Sequence, residues 1–67
     1  MLKFKERLRE LRIDKGFSQA KLGEMLSYGR CSITDWETGR TQPSFEILVE
    51  LSKIFNVSTD YLLGVED

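Results

Sequence analysis

The sequence predicts an all-α fold, a compact bundle of five short helices. Three observations carry this. Apolar residues recur at spacings of three and four within successive segments, the period of a helix with one buried face. Ser or Gly punctuates the ends of those segments, at Gly16, Ser18, Gly39, Ser44, Ser58 and Gly64, where caps and turns favour them. No segment alternates polar and apolar residues for long enough to make a strand.

The first helix is set by Phe4, Leu8 and Leu11, with Leu2 leading in and Lys, Arg and Glu between them. Lys15-Gly16 ends it, because Gly takes the left-handed conformation that closes a helix, and Phe17 returns to the core. Ser18 caps a second helix whose inner face is Ala20, Leu22, Met25 and Leu26. Lys21 stands where a capping box would place Glu, so only half of that motif is present. Ser27-Tyr28-Gly29 makes a turn. A third helix runs from about Arg30 to Glu37 and stops at Gly39. Arg40 to Pro43 is an exposed loop, since Pro43 disfavours helix at the residue before it. Ser44 caps a fourth helix with Phe45, Leu48, Val49, Leu51, Ile54 and Phe55 as its apolar residues, and Asn56 breaks it. Ser58 caps a last helix through about Leu63, closed by Gly64.

Size and composition narrow the function. At 67 residues the chain is expected to form one domain, spanning 1–67. A chain this short buries only roughly 60% of its unfolded surface. The 40% hydrophobic and 31% charged content fits a globular domain and not a disordered tail. One cysteine permits no internal disulfide, which suits a reducing cytoplasm. Residues 1–9 alternate charged and apolar side chains, unlike a signal peptide, and no apolar run approaches the roughly 20 residues of a membrane span. An enzyme is not expected. The chain has no His to serve as an imidazole base, and its single Cys cannot build a thiolate metal site. No phosphate-cradling glycine loop is present. No cofactor, metal or small-molecule ligand site is expected.

The net charge is −1, but it is unevenly spread. Residues 1–42 hold nine Lys/Arg against six acids, a net +3, while residues 43–67 hold Lys53 alone against five acids, a net −4. Such a gradient can orient an encounter with a polyanion.

The third helix carries the strongest functional signal. At about 100° per residue, Ile33 and Trp36 cluster on one side, and Arg30, Cys31, Thr34, Asp35 and Thr38 fall on the other, with Glu37 at the edge of the buried stripe. A helix-turn-helix has this layout: one helix crosses the DNA backbone and the next presents its outer face to base edges in the major groove. Arg30 has forked donors that match guanine O6 and N7, and Asp35 can accept from the N4 amine of cytosine. Cys31 and Thr34 are short enough for contact with a thymine methyl. Gln19, at the start of the second helix, would meet a phosphate together with nearby backbone amides. Arg40, Thr41 and Gln42 would hold the same strand further along, fixing register without reading sequence. The other readings are passive exposure for Arg30 and Asp35, and redox sensing for Cys31.

Together these residues resemble a known family. Ser18, Gln19, Leu22 and Leu26, then Arg30, Ile33, Trp36, Glu37 and Gly39, then Pro43-Ser44, are similar to the Xre family, the Cro and phage-repressor type of helix-turn-helix regulator. The similarity continues through Asn56 to Gly64 and covers nearly the whole chain. The resemblance implies a five-helix, lambda-repressor-like DNA-binding domain, with the helix-turn-helix at helices two and three. It also implies a homodimer, usually a repressor, on a pseudo-palindromic double-stranded operator. By position, Gln19 becomes a phosphate contact, and Arg30, Cys31 and Asp35 face bases. Gly29 and Thr34 flank them, Gly29 with the phosphate contacts and Thr34 with the base readers. Arg12 and Glu37 match a pair that bridges helices one and three in such repressors. The dimer patch is expected among Phe55, Val57, Tyr61, Leu63 and Val65, though Phe55 and Tyr61 equally suit the core. The alternative is an antitoxin-like or adaptor module that keeps the fold with little operator binding.

The chain departs from the family pattern in three places. Gly23 replaces the customary Ala, at an expected cost of about 1 kcal/mol in helix propensity. Tyr28-Gly29 stands where Val-Ser is common, leaving the third helix without a side-chain cap and Tyr28 exposed. Asp35 stands where Lys or Gln is frequent.

Overall fold

A computed structural model describes residues 3–65. Leu2, which the sequence places ahead of the first helix, lies outside them. Five helices follow in order: α1 (Phe4–Asp14), α2 (Gln19–Met25), α3 (Arg30–Thr38), α4 (Phe45–Phe55) and α5 (Thr59–Leu63). None of them is long and apolar enough to cross a membrane.

Local chemistry sets the boundaries. Ser18, Ser44 and Ser58 are N-caps, each hydroxyl accepting from the backbone N–H three residues on, at Lys21 (2.9 Å), Ile47 (3.3 Å) and Tyr61 (3.0 Å). Each satisfies a donor that the first helical turn leaves unpaired. Gly39 ends α3 at φ +83°, and the Arg40 N–H turns back to the Asp35 carbonyl at 2.9 Å. Asn56 ends α4 in the same left-handed region at φ +56°, which its short polar side chain tolerates.

The core takes at least one residue from every helix. Phe4 and Leu8 come from α1, Ile33 and Trp36 from α3, Leu51 and Phe55 from α4, and Leu62 from α5. Leu22 of α2 and Leu26 at its C-cap complete it. Leu11, Phe17, Ile47, Leu48, Ile54 and Val57 pack around this cluster. Phe17 leans on Phe55 with ring centroids 6.4 Å apart. The start of α1 is tied to α5: the Lys3 N–H donates to the Leu63 carbonyl at 3.0 Å, and Arg7 donates to the Tyr61 carbonyl at 2.8 Å while lying over the Tyr61 ring.

The structure corrects one expectation from the sequence and decides others that it left open. Ala20 and Met25 do not lie on the inner face of α2; both are exposed. That helix packs mainly on α3 and buries Leu22 and Gly23, with Leu26 beyond its end, a stripe too narrow to take in its flanks. On α4, Phe45 is 86% exposed and Val49 is exposed as well, while Ile47 joins the core. At 100° per residue, Phe45 and Val49 sit about 120° and 160° from Leu51, off the buried stripe. Of the two places the sequence left open to Phe55, core and dimer surface, the core is the one it takes. Tyr61 is half-buried beneath Arg7, and of the five candidates for that surface only Val65 is exposed.

Gly23 proves to be more than a helix-propensity cost. The turn folds back so that the Tyr28 N–H donates to the Gly23 carbonyl at 2.7 Å. A Cβ added at Gly23 would lie 2.7 Å from the Tyr28 carbonyl oxygen and 3.2 Å from the Gly29 carbonyl. The absence of a side chain lets the turn close on α2.

Candidate nucleic-acid interface

The turn between α2 and α3 is built from unusual backbone. Ser27 takes φ +60°, a left-handed conformation uncommon outside Gly, Asn and Asp. It reverses the chain directly after Leu26. Tyr28 then packs its ring against Trp36, tilted by 48° at 5.5 Å between centroids, and remains exposed. Gly29 caps α3 without a side-chain bond and stands in open space.

Ile33 and Trp36 anchor α3, with the Glu37 side chain buried beside them. Arg30, Cys31 and Thr38 are exposed; Thr34 and Asp35 are half-buried. Asp35 Oδ1 lies 3.8 Å from Arg40 Nε, a loose ion pair between α3 and the following loop. Arg40, Thr41 and Gln42 are all exposed beside it. Exposed pairs of this kind are worth little in stability, so both groups can exchange partners at low cost.

Beneath this surface runs a polar chain from α1 to α3. Arg12 donates through Nε to Glu37 Oε2 at 2.6 Å and through Nη2 to Oε1 at 3.2 Å. Its Nη1 donates to the Phe17 carbonyl at 2.8 Å. The Glu37 side chain is 4% exposed and that of Arg12 13%, so the pair is largely removed from water. Gln19 Nε2 donates to the same Glu37 Oε1 at 3.2 Å, and Gln19 Oε1 accepts from the Thr34 hydroxyl at 2.9 Å. Gln19 also lines an open concavity with Arg12, Ser18, Ala20 and Arg30.

The structure brings Gln19 together with Thr34 and Arg30, and Asp35 with Arg40, whereas Thr41 and Gln42 line a separate hollow with Phe4, Lys5 and Trp36. Two relations carry no periodic signature in the sequence: the Thr34–Gln19 bond and the Asp35–Arg40 pair. Both depend on how α2 and the loop lie across α3, which periodicity does not specify. The weak signal available was chemical, since Gln19, Thr34 and Glu37 are polar side chains at the margin of a stripe otherwise buried.

Comparison with known proteins places this geometry among related chains. A model of the helix-turn-helix family matches residues 8–62. The chain is 39% identical over 66 residues to the HTH-type transcriptional activator BcrR of Enterococcus faecalis, an alignment covering 98% of this chain and 32% of that protein. It is 37% identical to the HTH-type transcriptional regulator ImmR of Bacillus subtilis, covering 92% of this chain and 49% of that protein. The chain thus spans about a third and about half of the length of these two relatives. Among solved structures it is similar to the P22 c2 repressor protein in complex with a synthetic operator, with TM-score 0.86 and 38% identity over 94% of this chain and 96% of that one.

Proposed function

The chain belongs to the helix-turn-helix family, and we propose that it binds double-stranded DNA sequence-specifically and regulates transcription as a cytoplasmic homodimer. One observation carries the reading. An α3 anchored by Ile33 and Trp36 presents Arg30, Cys31 and Asp35 on its outer side, next to Gln19 and the exposed Arg40–Gln42 loop. Laid in a major groove, α3 would bring Arg30 to a guanine edge, Asp35 to a cytosine amine and Cys31 to a thymine methyl. Gln19, the Gly29 amide region and residues 40–42 would meet phosphates and set the register.

The stretch from Ser18 to Pro43 holds Lys21, Arg30 and Arg40 against Glu24, Asp35 and Glu37, a net charge of zero. Charge alone therefore supplies little adhesion there. Backbone amides and neutral side chains carry part of the hold on phosphate, and discrimination between sequences rests on α3. Repression by occupying an operator needs no surface beyond this one. Phe45, Val49 and Val65 leave apolar area open on a lone copy, which supports pairing with a second copy. A two-fold dimer would read half-sites about one helical turn apart, 10–10.5 bp.

The test is selection of duplexes from a random pool with the purified chain at fixed salt, followed by a salt titration on the best duplex. A discrete, roughly palindromic motif is expected, with a log–log salt slope of several units. No enrichment, with no measurable affinity for any duplex, would instead mark an adaptor or antitoxin-like module.

A further inference from the structure

We infer that Thr34 is a positioning residue and not a base reader: with Glu37 it locks the Gln19 amide so that one amide hydrogen is left to clamp a DNA phosphate. The inference rests on the DNA-binding reading above and adds a role for a side chain that the sequence alone placed among the base readers.

Glu37 sets the polarity of its neighbours. An ionised carboxylate only accepts hydrogen bonds, and this one is fixed by two bonds from Arg12, itself tethered to the Phe17 carbonyl. Whatever faces Glu37 Oε1 must donate. The Gln19 amide lies there, so its NH2 group and not its oxygen must point at the carboxylate, as it does at 3.2 Å. The reverse orientation would set two acceptors against each other. With the nitrogen committed, the amide oxygen falls beside the Thr34 hydroxyl, which donates at 2.9 Å.

Two consequences follow from counting hydrogens. Thr34 has one hydroxyl hydrogen, and its nearest acceptors are Gln19 Oε1 at 2.9 Å and the Arg30 carbonyl at 3.2 Å. That hydrogen is engaged within the protein, and a donor contact to a base would have to break the engagement. Gln19 Nε2 carries two hydrogens, of which Glu37 Oε1 takes one. The second remains for a ligand, on a residue that lines the concavity shared with Arg12 and Arg30. A glutamine held at both ends of its amide has already lost the rotamer freedom that binding would otherwise remove.

The test uses the duplex that the wild-type chain recovers from a random pool. Thr34→Val deletes the hydroxyl and keeps a β-branched side chain of similar shape; Thr34→Ser keeps the hydroxyl and deletes the methyl. Thr34→Val should weaken binding roughly three- to tenfold, the worth of one hydrogen bond, equally for the best duplex and all its single-base variants. Thr34→Ser should bind as wild type. In a Gln19→Ala background, Thr34→Val should add nothing further. In the free protein, the side-chain NH2 resonances of Gln19 should move in Thr34→Val and stay in place in Thr34→Ser, with unfolding midpoints showing that both variants are folded. A changed preference at one base pair in either variant, or additivity with Gln19→Ala, overturns the positioning role. An unmoved Gln19 amide in Thr34→Val overturns the coupling while leaving DNA binding intact. Failure of the wild type to recover any duplex removes the DNA reading and this role together.

Discussion

Breaking the Arg12–Glu37 pair should destabilise this chain strongly, on the scale of a core truncation. Arg12→Met keeps an unbranched side chain but removes both bonds to Glu37 and the one to the Phe17 carbonyl. The carboxylate, 4% exposed, would be left with the Gln19 amide as its partner at 3.2 Å. Removing one member of a buried pair costs about 3–5 kcal/mol, because the survivor's charge stays desolvated and uncompensated. Arg12 keeps some access to water, at 13% exposure, which favours the lower end, about 3 kcal/mol. For a domain of this size each kcal/mol moves the midpoint by about 4–8 °C, so Tm should fall by about 12–24 °C. Thermal and urea unfolding followed by circular dichroism and by Trp36 fluorescence would measure it. The double variant Arg12→Met/Glu37→Leu should recover most of the loss, since an apolar pair leaves no buried charge behind. A single-variant loss below about 1 kcal/mol, or a double variant as unstable as the sum of the two single ones, would refute the reasoning.

Three further outcomes are expected. Arg30→Ala should cost roughly 1–3 kcal/mol in operator binding and relax preference at one base pair, whereas Gln19→Ala should weaken all sequences about equally; repeating the random-pool selection with each variant separates the two. Ser27→Gly should raise stability by about 1 kcal/mol, because Ser27 holds φ +60° at a cost that Gly does not carry; an unchanged urea midpoint would contradict this. Gly23→Ala should fail to deliver the gain of about 1 kcal/mol that helix propensity alone promises, since the new methyl would meet the Tyr28 carbonyl at 2.7 Å; a variant more stable by that amount would show that the turn yields freely.

Helix boundaries were legible because they are set by local chemistry. Ser18, Ser44 and Ser58 cap through their own hydroxyls, and Gly39, Asn56 and Gly64 stop helices through their own backbone. The two faces of α3 were legible for the same kind of reason, as Ile33 and Trp36 define a stripe over barely a turn. What periodicity could not supply was which stripe finds a partner. Met25 and Phe45 have the right residue type and nearly the right spacing, yet both stay exposed, Phe45 at 86%. Nor could it show that Gly23 meets the turn, that Ser27 goes left-handed, or that the Thr34 hydroxyl is engaged by Gln19. Each of these is a meeting between segments, fixed only when α2 and α3 are brought together.

DNA is expected to meet the face running from Gln19 through Arg30 and Asp35 to the Arg40–Gln42 loop. The direct measurement is a map of backbone and side-chain amide shifts as the selected duplex is titrated into the labelled chain. The largest changes are expected at residues 18–21, 29–35 and 40–42, including the Gln19 side-chain amide. Changes centred instead on Phe45, Val49 and Val65, with α3 undisturbed, would contradict it.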